Sequence, residues 1–248
     1  MEPTITSSSN PLVKRIRRLH RARGRREAGL TLIEGPKVFA QMVTAGVVPE
    51  AIIAEASDEA TMELCYSQGW VPSLVATEVL TAAADAVHPQ SPVAAIRIPK
   101  GRAIRHRDSL ILNDIADPGN VGTMFRSAAA FGWDVCVSGA TADPWSPKVL
   151  RAGAGSHFGM HISSSDDPVA DAHTAGLELL ASIVSGGDDP GRGERRIALL
   201  IGSEAHGLSE KITTQADRSV TLSMPGGAES LNAAVAASIL MYLLAGES

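Results

Sequence analysis

The chain has 248 residues, 44% of them hydrophobic and 20% charged, which supplies material for a sizeable core and excludes a disordered protein. Domains cluster near about 100–150 residues, so two modest domains are expected. Aromatic residues make up only 4%, which excludes RNA recognition by rows of stacked Phe and Tyr on a sheet. The formal net charge of -5 conceals an asymmetry: residues 1–107 hold 14 Lys/Arg against 10 Asp/Glu, whereas residues 108–248 hold 8 against 17.

Cys65 and Cys136 are far apart and belong to no repeated spacing, so neither a disulfide framework nor a cysteine zinc site is expected. The N-terminus has no apolar core of signal-peptide type. The longest apolar stretch, near residues 233–245, is interrupted by Ser238 and falls short of a membrane span. A cytoplasmic protein is expected.

Asn10-Pro11 opens a helix read to about residue 26, with Pro early in the first turn, where its missing N–H costs little. Eight of the fourteen N-terminal cations fall in it: Lys14, Arg15, Arg17, Arg18, Arg21, Arg23, Arg25 and Arg26. Such a run is either a phosphate-binding face or a solvated surface above the Leu12, Ile16 and Leu19 stripe. Strands near 30–33, 51–54, 71–74 and 93–98 then alternate with helices near 37–44, 58–68 and 78–84, the pattern of a small α/β domain. Residues 99–107 lack periodicity and read as a linker between a domain over 1–98 and another over 108–248.

The second domain reads as strand 110–112, an Ala-rich helix 121–131, strands 134–138, 177–184, 197–201 and 219–222, and a closing helix 230–244 with Leu231, Val235, Ile239 and Leu243 at helical spacing. Its strands are apolar enough to be buried on both faces, which predicts a doubly wound parallel sheet. Residues 190–196 read as a polar loop without chemistry. Three segments place Gly and polar residues just after an apolar strand, where open α/β sheets bind ligands. The first carries Asn120, read as the helix cap, with Arg126 six residues on; the second carries Gly202, Glu204, His206 and Gly207; the third carries Leu222, Met224, Gly226, Ser230, Leu231 and Asn232.

Taken together and in this order, the three segments resemble the three motifs of the SpoU (TrmH-like) family of the SPOUT superfamily, RNA ribose 2'-O-methyltransferases that use S-adenosylmethionine. Residues 148–158 resemble the family's stretch between the first and second motifs. The resemblance spans about residues 110–244. More loosely, Ser9-Asn10-Pro11-Leu12-Val13-Lys14 and Ile33-Glu34-Gly35 are similar to the ribosomal-protein-like RNA-binding domain of the rRNA-modifying members. The third segment departs from the pattern: Ser223 stands before Met224, and the proline has moved to Pro225.

The resemblance implies an α/β, SPOUT-type catalytic domain with a trefoil-knotted parallel sheet, a smaller N-terminal α/β RNA-binding domain, and a homodimer with active sites at the interface. It implies S-adenosylmethionine held largely by backbone groups, with Gly202, Leu222 and Leu231 in contact and Gly207, Met224 and Gly226 shaping the pocket. Asn120, Glu204, Ser230 and Asn232 would position the nucleotide and Arg126, which the family assigns as general base. A guanidinium stays protonated at ordinary pH, so clamping substrate phosphate bidentately is the alternative role for Arg126. RNA would be held by Lys14, Arg15, Arg17, Arg18, Arg21 and Arg25. No metal is expected, since His206 beside Glu204 has no third ligand nearby, and Gly153-Ala154-Gly155 lacks dinucleotide-site spacing. The implied activity is methyl transfer to a ribose 2'-hydroxyl in 23S rRNA, antibiotic resistance being a special case. The alternatives are the same reaction on tRNA, or a non-catalytic RNA-binding protein of this fold.

Overall fold

The computed structural model describes residues 4–245. In chain order the N-terminal part forms α1 (Pro11–Arg18), α2 (Ala22–Ala28), β1 (Leu30–Glu34), α3 (Pro36–Thr44), β2 (Ala51–Glu55), α4 (Glu59–Ser67), β3 (Ser73–Val75), α5 (Thr77–Ala83) and β4 (Val93–Arg97). There follow β5 (Ser109–Asn113), α6 (Pro118–Ala130), β6 (Asp134–Ser138), α7 (Pro147–Ala152), β7 (Ile162–Ser165), α8 (Pro168–Thr174), β8 (Glu178–Ser182), β9 (Ile197–Ile201), α9 (Glu210–Gln215), β10 (Arg218–Val220) and α10 (Ala233–Leu244). Two compact units result: the chain up to Pro99 with Trp145–Phe158, and Lys100–Pro144 with the chain from Gly159 on.

The first unit is a four-stranded sheet in the order β1-β4-β2-β3, antiparallel except for β2 with β3. Alternate residues of β1 feed two cores: Leu30 and Leu32 pack with Val13, Ile16 and Leu19, and Ile33 packs with Phe39, Met42 and Leu150 of α7. The single N-terminal helix expected from the sequence is two. Its break at Leu19–Arg21 is held by His20 Nε2, which donates to the Ala83 carbonyl (2.6 Å), and by Arg25 Nη1, which donates to the carbonyls of Leu19 (3.1 Å) and His20 (2.9 Å). At Gly24 the two helices meet so closely that a Cβ would collide with the Arg18 carbonyl.

Segment 145–158 is pinned to this unit by polar contacts as well as by Leu150. The buried Glu34 carboxylate accepts from Asp85 N (2.6 Å), Ala86 N (3.1 Å) and Arg151 Nη1 (2.7 Å), and Arg151 also donates to Asp85 (3.0 Å). Thr31 donates to the Trp145 carbonyl. Glu34→Ala strands the Arg151 guanidinium and two amides, so it is expected to destabilise the unit by about 3 kcal/mol. A lower urea midpoint at unchanged slope is the check.

The second unit is a six-stranded, wholly parallel sheet in the order β10-β8-β9-β5-β6-β7. Every residue of β5 and β9 is buried, as expected for strands covered on both faces. Ile111, Leu179 and Leu200 pack beneath α8, and α10 packs on α6 and β9. Besides α7, three elements were not legible: β7, which carries three serines in four residues, and the short α8 and α9.

The closing helix also faces differently from its apparent stripe. Its buried residues are Ala234, Ala237, Leu240, Met241 and Leu244, whereas Val235, Ile239 and Leu243 are 46%, 37% and 46% exposed. The loop over residues 190–196 is anchored too: Arg192 (2.8 Å) and Arg196 (3.2 Å) donate to the buried Asp108 carboxylate. Cys65 and Cys136 are buried, and burial pushes each thiol up to about 11, so neither is a ready nucleophile.

Candidate active site

The strand order fixes where a ligand belongs. From β5 the chain proceeds outward to β6 and β7, then returns to the other side of β5 for β8, β9 and β10. The sheet therefore has its switch point between β5 and β9, and open α/β sheets bind ligands outside the carboxyl ends of their strands at such a point. The first and second glycine-bearing segments follow β5 and β9 directly. The third follows β10.

The first segment turns into α6 through Asp117-Pro118. Asp117, not Asn120, is the helix cap: its carboxylate accepts from the Asn120 amide (2.8 Å), with Pro118 in the first turn. An acidic cap suits the positive end of the helix dipole. The signal was present in the sequence as Asp-Pro. This cap leaves the Asn120 side chain available.

The second segment closes tightly on itself. Gly207 N–H donates to the Ser203 carbonyl (2.9 Å), and a Cβ on Gly202 would collide with the Gly207 and Leu208 backbone. Gly207 itself has φ 65°, the left-handed region. The turn presents Glu204 outward.

The third segment ends at Asn232, which caps α10: its Oδ1 accepts from Ala234 N (2.9 Å) and Val235 N (3.3 Å). The remaining amide of Asn232 donates to Asn120 Oδ1 (3.0 Å), and Asn120 Nδ2 donates to Glu204 Oε1 (2.7 Å). One residue from each segment thus joins a continuous relay from the α10 N-terminus to a carboxylate. Asn120 has both ends of its amide engaged, which fixes its orientation and aims Glu204. Ser127 and Ser238, in hydrogen-bond contact at 2.7 Å, hold α6 to α10 beside it.

Two of the expected catalytic side chains are not drawn into the relay. Arg126 is exposed on α6, and six helical residues place it about 120° round the axis from Asn120. Ser230 is exposed in the loop before α10. Neither side chain makes a hydrogen bond or ion pair among the described residues.

The cofactor-binding candidates lie on the second and third segments. Gly202 is buried, Leu222 and Met224 are half-buried, and Gly207, Gly226 and Leu231 are exposed. Between Leu222 and Leu231 the main chain makes a single hydrogen bond among the described residues, Gly227 N to Met224 O (3.0 Å). The other amides and carbonyls of this loop are open, which fits a cofactor held by backbone groups at strand ends. No group of three or more His, Cys, Asp or Glu suited to a metal occurs among the described residues.

In the first unit, Lys14, Arg15, Arg17, Arg18 and Arg21 are exposed. Lys14, Arg17, Arg18, His20, Arg21 and Arg23 line an open groove of about 650 Å³. Arg25 departs from the expected RNA-binding set. It is buried, and its guanidinium closes the break between α1 and α2 instead of facing solvent.

A switch-point sheet whose strand-end loops meet in a polar relay is the architecture of an α/β enzyme. Comparison with known proteins specifies it further. Residues 108–242 match the SpoU rRNA Methylase family model, and residues 10–94 match a model described as MRM3-like substrate binding domain. The 23S rRNA (guanosine(2553)-2'-O)-methyltransferase RlmP of Bacillus subtilis is 30% identical over 98% of this chain and 99% of its own. An uncharacterised tRNA/rRNA methyltransferase of Synechocystis is 31% identical over 96% of this chain and 92% of its own. The crystal structure of an AdoMet-bound rRNA methyltransferase from Sinorhizobium meliloti superposes with a TM-score of 0.85 at 26% identity, covering 97% of this chain and 96% of that one. The chain belongs to the SpoU rRNA methylase family. It is an S-adenosylmethionine-dependent RNA methyltransferase acting on a ribose 2'-hydroxyl.

Proposed function

We propose that the chain methylates a ribose 2'-hydroxyl in 23S rRNA, working in the cytoplasm as a homodimer. The observation that carries the site assignment is the Glu204–Asn120–Asn232 relay, which gathers all three segments at the carboxyl edge of one sheet. The RNA assignment draws on the exposed cationic groove of the first unit and on the substrate-binding model matched over the same residues. The large-subunit assignment draws on the name of the Bacillus relative. Reverse transcription of 23S rRNA at limiting nucleotide tests the reading. A single cofactor-dependent pause is expected, and its absence would overturn the substrate.

When bound, S-adenosylmethionine supplies a sulfonium-activated methyl group. The protein's task is then to align the ribose 2'-oxygen and accommodate its proton. Glu204, held by Asn120, accepts hydrogen bonds from the bound nucleotide, and Arg126 grips its phosphate bidentately. Ser230 supplies a hydroxyl to the same nucleotide. The open main chain of the second and third segments, with Gly202, Gly207, Leu222, Met224, Gly226 and Leu231, holds the cofactor. The trefoil threading of the catalytic chain belongs to the same reading.

The dimer draws on the outward face of α10. Val235, Ile239, Tyr242 and Leu243 form an exposed apolar strip on α10, continued by Leu231 in the loop before it, more apolar surface than an isolated helix face needs. Ile239→Glu with Tyr242→Glu is expected to convert a dimer to a monomer in sedimentation, and an unchanged mass would remove this face from the interface.

The cationic groove yields a separate expectation. Neutralising Arg17, Arg18 and Arg21 together should flatten the dependence of RNA affinity on salt by roughly one slope unit per lost phosphate contact. An unchanged slope would return these residues to a solvated surface.

A further inference from the structure

The amino edge of the catalytic sheet, opposite the active-site loops, carries a second concentration of arginine. Arg105, Arg107, Arg192 and Arg196 line an open groove of about 670 Å³ with His106 and Asp108. Five-residue strands separate this edge from the relay by roughly 17 Å. The groove draws on the segment over 99–107, read from the sequence as a linker, and on the loop over 190–196, read as without chemistry.

The charges here are sorted by depth. Asp134 receives two hydrogen bonds from Arg105 (2.5 and 2.9 Å), and Asp108 receives Arg192 (2.8 Å) and Arg196 (3.2 Å). The two carboxylates are only 6% and 10% exposed, whereas Arg105 and Arg196 are 48% and 53% exposed. Arg107 is exposed as well, and its side chain donates only to the Gly132 carbonyl (3.2 Å) among the described residues. The anions therefore fix the guanidiniums from beneath while the outer surface is cationic. Two of these arginines, Arg192 and Arg196, come from a stretch, residues 108–248, that holds 8 Lys/Arg against 17 Asp/Glu. Four guanidiniums over two carboxylates leave the groove with an excess of positive charge. Arginines spaced along an open groove, with no enclosed pocket, suit an extended polyanion.

We propose that this groove is a second phosphate-binding surface, holding the RNA backbone at a distance from the nucleotide that reacts. The proposal rests on the reading of the chain as an RNA methyltransferase, and the test separates the two. Affinity for a 23S rRNA transcript is measured over a range of KCl for the full chain, for Arg107→Gln with Arg196→Gln, and for the Arg17, Arg18 and Arg21 neutralised variant. The groove variant is expected to weaken binding and lower the slope by about two. Its cofactor affinity should not change. If Arg196→Gln loosens Asp108 and lowers the melting temperature, Arg107→Gln alone carries the test with a slope change of about one. A groove variant with wild-type slope, while the N-terminal variant loses slope, would overturn the proposal and leave the RNA reading intact. Absence of both salt-dependent RNA binding and methyl transfer in the unmodified chain would overturn both.

Discussion

Asn232→Asp is expected to keep the protein folded and to lower methyl transfer by on the order of 10²-fold. The residue does two jobs through two atoms. Its Oδ1 caps α10 by accepting from Ala234 and Val235, and its Nδ2 donates to Asn120. Aspartate caps a helix as well as asparagine does, so stability should change little. It has no donor for Asn120, however, and it faces the Asn120 oxygen with a second acceptor. Asn120 must then rotate or lose its partner, and Glu204 loses the amide that orients it. Asn232→Ala removes both functions and should add about 1 kcal/mol of destabilisation to the same loss of rate. A melting curve beside a single-turnover rate separates the two variants. Near-normal transfer by Asn232→Asp would mean that the relay does not position the substrate.

Arg126→Ala is expected to lower methyl transfer by about 10²–10⁴-fold while cofactor binding is retained. The side chain is exposed and makes no hydrogen bond or ion pair among the described residues, so loss of activity could not be charged to unfolding. Arg126→Lys distinguishes its roles. Lysine keeps the charge and loses the planar fork, so a phosphate clamp should be only partly restored. Arg126 stands about 120° round α6 from Asn120, so the proposed function has two geometries for it, beside its own relay or across the proposed dimer interface. Mixing Arg126→Ala with Glu204→Ala subunits decides between these, since activity returns only if the arginine serves its partner's relay. A near-normal rate for Arg126→Ala would remove it from the site.

Much of the catalytic half was legible because its signals are local. Apolar runs such as residues 110–112 of β5 and Ile197–Ile201 of β9, each followed by Gly and polar residues, mark buried parallel strands with ligand loops. The order of the three segments carries the resemblance to the family. Other features depend on tertiary contacts that no local pattern encodes. Helix α10 is apolar on two sides, so periodicity identifies a helix but not which side it buries. The break between α1 and α2 has no proline. It exists because His20 reaches Ala83, 63 residues away in sequence, and because Gly24 lets the helices touch. Arg25 looks like its cationic neighbours and differs from them only through that break. Strand β7 escaped because two of its three serines are buried with their hydroxyls engaged inside the fold, Ser163 donating to the Val135 carbonyl (3.4 Å) and Ser165 to Asp171 (2.6 Å). That Arg151 belongs with Glu34, 117 residues earlier, is visible only in three dimensions.

The central claim is that three loops of one parallel sheet assemble a ribose 2'-O-methyltransferase site for rRNA. It is tested most directly by transfer of labelled methyl from S-adenosylmethionine to total rRNA and, separately, to total tRNA, followed by nucleoside digestion. The account predicts a single 2'-O-methylnucleoside from large-subunit rRNA, greatly reduced with Asn232→Asp. Label confined to tRNA would contradict the substrate, and label on a base instead of a ribose would contradict the chemistry.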